Sequence, residues 1–212
     1  MSTGKRGSRA SHEPAEPAVA ATSTGNGGAK PARADAERNR QRLLEVAHDA
    51  FALGGKVTLE GIARDAGVGI GTLYRHFPTR EALIEAVYRT ERRRLCDEAA
   101  DLAATGDAAV ALRTWMDRFS DYMATKREMA DALRAVIASG AVTAAEARSE
   151  MSTAIQPILD AGIASGTLRD DVLAQDVIVS LLGIALASGR PEEREQAGRM
   201  MDLLLAGVRR CP

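Results

Sequence analysis

Aromatic residues are scarce: one Trp, three Tyr and three Phe among 212 residues, 3% of the chain. β-Sandwiches and barrels draw on aromatic and β-branched side chains, so this scarcity argues against them. Only two cysteines occur, Cys96 and Cys211, far apart and in no metal-ligand spacing. That excludes a disulfide framework and a zinc site. The three histidines are His12, His48 and His76, none with a Cys, Glu or Asp partner at ligand spacing. There is no G-x-S-x-G, no strand-to-helix phosphate loop and no Cys–His signature, and the pair Glu192 and Glu193 reads as a solvated face. No catalytic residue, metal or cofactor is expected. The longest apolar run, residues 177–187, is interrupted by Ser180 and Gly183. It falls short of the roughly 18–20 residues that span a bilayer. A basic start without an apolar segment behind it is no secretory signal. The expectation is a reduced, cytoplasmic protein without membrane partners.

What is present points to helix. The chain is 45% hydrophobic and 27% charged, with abundant Ala and Leu. A net charge of −1 hides an asymmetry: residues 1–32 carry +2, residues 33–94 carry +3 and residues 95–212 carry −6. A basic front with an acidic rear hints at a polyanion partner for the front.

Residues 1–32 are rich in Gly, Ser, Thr, Pro and Ala and are expected to be disordered, because they hold too little apolar surface to offset ordering. From Asp35 the pattern turns helical, with Leu43, Leu44, Ala47, Ala50 and Phe51 forming one stripe that ends at Gly54 and Gly55. Thr58 is placed to cap a short second helix facing Leu59, Ile62 and Ala63 inward, closed by Gly67. A third short helix runs from about Gly69 to His76, with Leu73 and Phe77 as its core pair. Pro78 breaks the chain, and Thr79 caps a long fourth helix toward Leu102. Five more helices follow. The fifth starts after Gly106 and Asp107, and the sixth carries Met129, Leu133, Val136 and Ile137. The seventh covers about residues 144–164, where Pro157 is expected to kink or split it. The last two span about residues 174–187 and 191–209. The eighth is apolar on most sides and therefore expected to be buried on two faces. With no strand-like alternation and no fixed repeat, the chain reads as all-α.

Residues 58–77, TLEGIARDAGVGIGTLYRHF, carry the function. Ala63 gives the small residue where two short helices cross. Gly67 gives the tolerance of positive φ that a sharp turn needs, and Leu73 pins the second helix. That spacing fits a helix-turn-helix, whose second helix lies in the DNA major groove. On that helix Thr72 offers a hydroxyl and a methyl for a base edge or a thymine methyl. Tyr74 and His76 suit phosphates, and Arg75 suits phosphate or guanine. Thr58 and Arg80 stand at helix starts, where free N–H groups attract phosphate.

Residues 36–90 resemble the N-terminal DNA-binding domain of TetR-family transcriptional regulators, through RQRLLEVAHDAF and VTLEGIARDAGVGIGTLYRHFPTREALIEAVY. The resemblance implies a three-helix DNA-binding domain, a linking fourth helix, and a helical C-terminal domain that dimerises and binds a small ligand. It implies DNA contacts at Thr58, Thr72, Tyr74, Arg75, His76 and Arg80. Many members carry Ser at the position of Gly69 and Lys at that of Ile70. Here the capping hydroxyl and one cation are absent, and Ile70 becomes a candidate apolar base contact. The segments FSDYMATKREMADAL and SGTLRDDVLAQDVIVSLLGI also resemble the SbtR-like C-terminal group.

The expected organisation is thus a tail over 1–32, a helix-turn-helix domain over 33–80 and a ligand-binding and dimerisation domain over 81–212. A stripe of Trp115, Met116, Phe119, Tyr122 and Met123, facing Met129, Leu133 and Ile137, reads either as ordinary core or as the lining of an apolar effector pocket. Gly183, Ala185, Ala187 and Gly198 let the last two helices approach a symmetry mate as a four-helix interface. The expected function is a ligand-responsive repressor that binds a palindromic double-stranded operator as a homodimer and is released by a small apolar or amphipathic effector. A binding module without specific DNA recognition, or an activator, remain as alternatives.

Overall fold

The computed structural model describes residues 29–53, 57–188 and 190–210. Among them are α1 (Ala29–Ala52), α2 (Leu59–Asp65), α3 (Ile70–His76), α4 (Arg80–Ala103) and α5 (Ala108–Glu128). These lead into α6 (Ala130–Ala138), α7 (Ala144–Ala164), α8 (Ala174–Ala187), a 3-10 turn (Pro191–Glu193) and α9 (Arg194–Val208). No strand occurs among the described residues. The one β-like pairing is an isolated bridge between Leu168 and Arg209.

Side-chain caps set four of the helix starts. Thr58 accepts from Gly61 N at 3.1 Å, Thr79 from Ala82 N at 3.0 Å, and Asp107 from Ala109 and Val110 N at 3.0 and 3.1 Å. Thr143 and Glu146 form a reciprocal capping box at the start of α7. Helix α1 begins at Ala29, six residues before the expected start at Asp35, and residues 33–38 are exposed, so no periodicity announces that part of the helix. Of the tail expected to be disordered, residues 1–28 lie outside the described residues, as do Gly54 and Gly55. Helix α7 runs unbroken through Pro157. The missing N–H frees the carbonyl one turn back, at Thr153, but both residues are exposed and water can serve it.

A single continuous core runs from Leu43 to Val208. Helix α4 is its axis, packing against α1, α5, α6 and α7. Its buried residues run from Leu83 to Ala99, packing against α1 on the N-terminal side and against the C-terminal bundle on the other. Arg113 of α5 donates to Asp202 of α9 at 2.7 Å, and Arg194 of α9 to Asp121 of α5 at 2.7 Å. The expectation for α8 is met on one face only: Val177, Ile178, Leu181 and Ile184 are buried, while Val179 and Leu186 are 51% and 80% exposed.

The chain end is tied down at the α7–α8 turn. Arg169 N donates to Val208 O and Arg210 N to Thr167 O, both at 3.0 Å. Leu168, 2% exposed, is pressed there onto Gly162 of α7, where an added Cβ would meet its Cδ1 and Cγ at 2.4 Å and its Cβ at 3.0 Å. The root of a side chain held by the bridge cannot swing away. Replacing Gly162 by Ala should therefore destabilise the fold by about 1–3 kcal/mol, the usual cost of overpacking, read as a lower urea midpoint at unchanged slope.

Candidate nucleic-acid interface

Helices α2 and α3 have seven residues each, too few to persist alone. Buried anchors hold them: Leu59, Ile62 and Ala63 on α2, Leu73 on α3, and Phe77 just past it. Between them Gly67 adopts φ +67, a conformation costly for residues with a Cβ, and Val68 N donates to Ala63 O at 2.9 Å. Gly69 stands at the start of α3 without any side-chain capping bond.

With Leu73 turned inward, α3 shows solvent a definite set. Ile70 is 38% and Tyr74 45% exposed, Gly71 and Arg75 are exposed, and Thr72 and His76 are half-buried. Arg75 folds along its own helix, donating from Nε to Gly71 O at 3.2 Å and from Nη2 to Thr72 Oγ1 at 3.1 Å. Thr72 and Arg75 thus form one unit before any partner arrives. Gly71 was not singled out from the sequence. A Cβ there would meet nothing within 4 Å, so α3 presents bare backbone at that point. The legible signal was a glycine inside a seven-residue helix, against helix propensity.

Two other candidates have structural duties. Thr58 is exposed, with its hydroxyl oxygen engaged in capping α2. Arg80 is half-buried, its guanidinium donating to Val57 O and lying 5.3 Å over the Phe51 ring. Its head group ties α4 to α1 and to the segment before α2, so a phosphate would have to draw it away from these partners. Arg40 of α1 lies 5.6 Å over Phe77 in a similar brace.

In the second half, Trp115, Met116, Phe119, Tyr122, Met123, Met129 and Leu133 are all buried. Ile137 departs from the expected stripe at 51% exposure. Packing of the nine-residue α6 rests on Leu133 and Val136, and Ile137 in its last turn is left outside. Ring centroids step from Trp115 to Phe119 (5.7 Å), Phe119 to Tyr122 (6.3 Å) and Tyr122 to Tyr88 of α4 (6.2 Å). Trp115 Nε1 donates to Leu95 O at 3.0 Å, whereas the buried Tyr122 hydroxyl has only the Tyr88 side chain as polar company. Burial, with Tyr88 alongside, pushes that hydroxyl far above the usual phenol range. Burial and the Glu150 carboxylate push the nearby Cys96 thiol up to about 11. The sequence reading assigned no part to Arg92 and Glu150, which meet from α4 and α7 beside these rings.

Two family descriptions match the chain. "Bacterial regulatory proteins, tetR family" covers residues 43–87, and "Transcriptional regulator SbtR-like, C-terminal domain" covers residues 107–210. A TetR transcriptional regulator of Streptomyces coelicolor of known structure is 49% identical, covering 82% of this chain and 99% of that one, with a TM-score of 0.72. The chain belongs to the TetR family of transcriptional regulators. A second family structure, from Mycobacterium vanbaalenii, is 34% identical over 84% of this chain and 99% of that one, with a TM-score of 0.65. An HTH-type transcriptional regulator of Staphylococcus aureus is 45% identical over 53 residues, 24% of this chain. That match spans only 29% of the curated relative's length.

As a TetR-family member the chain is a DNA-binding regulator and not an enzyme. Its α2–turn–α3 unit is the family's helix-turn-helix, followed by a helical C-terminal domain. Among the described residues no helix is long and apolar enough to cross a membrane.

The brace at Arg80 can be tested without DNA. Replacing Arg80 by Ala removes one hydrogen bond and one cation–π contact and should cost about 1–2 kcal/mol of unfolding free energy in urea titration. A side chain waiting only for phosphate would leave stability unchanged.

Proposed function

We propose that this regulator is a ligand-responsive repressor that binds a palindromic operator as a homodimer and is released by a small effector. The observation that carries the reading is the solvent face of α3, where Thr72, Tyr74 and Arg75 surround bare backbone at Gly71. In this reading α3 enters a major groove. The Thr72–Arg75 pair opens to read base edges, Ile70 makes an apolar base contact beside Gly69, and Tyr74 and His76 hold phosphates. Thr58 and Arg80 contribute chiefly through the helix starts they occupy. The working division is a DNA-binding domain over 33–80 and a ligand-binding and dimerisation domain over 81–212, with α4 serving both.

The dimer reading is supported by the free face of α8 and α9. Leu186, Leu203 and Val179 are 80%, 73% and 51% exposed, and Gly183 and Gly207 leave open space where a side chain would stand. Large apolar residues beside bare backbone suit close helix packing against a second copy. Two copies would set the recognition helices roughly 34–36 Å apart, or a multiple of that, for grooves on one face of the duplex. Release requires an effector that prefers a different dimer geometry; moving the equilibrium from 1:99 to 99:1 takes about 5.5 kcal/mol of differential binding.

Selection of bound duplexes from a random DNA library, at physiological salt with competitor, should recover a palindrome. Recovery of no motif by folded protein would sink the regulator reading of this face. On the recovered site, Arg75→Ala should weaken binding and lower the slope of log K against log salt by about 1 if it holds phosphate. A specificity change at one base pair would instead assign it to base readout. Replacing both Leu186 and Leu203 by Glu should convert the dimer to monomer in sedimentation velocity. An unchanged sedimentation coefficient would move the interface elsewhere.

A further inference from the structure

Charge around Tyr88 is unevenly matched. Arg92, one turn further along α4 and 6% exposed, holds its guanidinium 5.5 Å over the Tyr88 ring, and Lys126 Nζ reaches the same ring from α5 at 5.5 Å. One carboxylate answers these two cations. Glu150 Oε2 lies 2.8 Å from Arg92 Nε, and Nη2 donates to Oε1 at 3.2 Å. Among the described residues no carboxylate lies at ion-pair distance from Lys126. Arg92 Nη1, buried, has no hydrogen-bond partner. Each buried donor left unmade carries the desolvation cost of its group, and more for a charged one. An interior with spare positive charge and a spare guanidinium donor is completed by an acid.

There is a route to it. Arg92 lines a groove of about 450 Å³ between α4 and α7, with Arg89 and Arg93 on one wall and Ser149 and Thr153 on the other. Arg89 is paired with Glu85 at 2.9 Å, whereas Arg93 is exposed and has no acidic partner among the described residues. The groove mouth is therefore cationic and lined by hydroxyls, while the residues behind Arg92 are aromatic.

We propose that this groove admits the effector's head group and that the effector is an amphipathic organic acid. Its carboxylate takes Arg92 Nη1 and, as the second arm of a bidentate pair, Nη2, which donates to Glu150 in the free protein, and its apolar body lies along Cys96 and Ala154 of the same groove. The inference rests on the effector-binding reading of the C-terminal domain and adds the chemical class. It also supplies a coupling. The incoming carboxylate competes with Glu150 for Arg92. Glu150 is 52% exposed, so water receives it once displaced, whereas Arg92 exchanges one acid for another. What is lost is the Arg92–Glu150 ion pair between α4 and α7, and only three residues separate α3 from α4. The acid thus binds better to a state in which this ion pair is open and α4 has shifted against α7, which is the differential affinity that release requires.

The test uses the full chain and a ladder of straight-chain and phenyl-substituted carboxylic acids, each beside the neutral alcohol of the same skeleton. At equal concentration some acids should raise the Tm and their alcohols should not, since ligand that binds only folded protein stabilises it. R92M should abolish that preference. E150Q, altering a half-exposed residue, should bind the acids about tenfold tighter, because Arg92 is then free of its internal competitor. Should R92M fail to fold, E150Q decides alone. No acid that shifts the Tm, equal shifts by acid and alcohol, a preference that survives in R92M, or unchanged affinity in E150Q each overturns the inference. Operator binding by the same wild-type preparation separates the readings. Intact DNA binding without acid preference removes only the acid, whereas a chain that binds no duplex counts against the regulator reading itself.

Discussion

Burial of one face of a single long helix along its whole length is the constraint on which the rest of the molecule depends. Helix α4 has 24 residues, roughly 36 Å at 1.5 Å per residue. Leu83, Ile84 and Val87 near its start complete the core under the helix-turn-helix, and Leu95 and Ala99 toward its end are buried in the C-terminal bundle. Neither half offers an independent way to cover those side chains. A displacement of α4 at one end is therefore felt at the other, because packed interiors resist small continuous deformation. The recognition helix sits on this lever only three residues before it begins.

Arginine does unlike work along the lever. Arg80 and Arg40 brace aromatic rings under the helix-turn-helix, and Arg75 lies along α3 in contact with solvent. Arg92, over Tyr88, is the buried one, and its pairing with Glu150 spans two helices. A guanidinium suits each place because it presents a flat face to rings and several donors at its rim. Residue type alone separates none of these roles; burial and the identity of the acceptor do.

That is also the measure of what the sequence disclosed. The bounds of α7 and α8 match the sequence reading closely, because Gly166 closes one and an apolar run defines the other. The exposed set on α3 followed from Leu73 and Phe77 pointing inward. Where the signal failed, it failed for identifiable reasons. The first turns of α1 bury nothing and so show no stripe. The break between α5 and α6 falls at Met129, a buried residue with no Gly or Pro beside it. Ile137 has helical spacing to Leu133 but sits where a short helix ends. Arg80 meets Val57 across 23 positions and Arg92 meets Glu150 across 58. Partners at such separations leave no periodic trace, and the uncommitted donors of the interior appear only once the chain is folded.

The single indole of the chain adds a consequence of its own. Trp115 Nε1 donates to the carbonyl of Leu95, an acceptor inside α4 rather than on a neighbouring loop. The emission colour of an indole responds to the local field around its ring, and here that field is set by a backbone dipole of the lever itself, in a site sealed from water. Sliding or rotating α4 against α5 would lengthen that bond and change the dipole's direction. The molecule thus carries a native optical gauge of the α4–α5 contact, able to report on α4 in unlabelled protein.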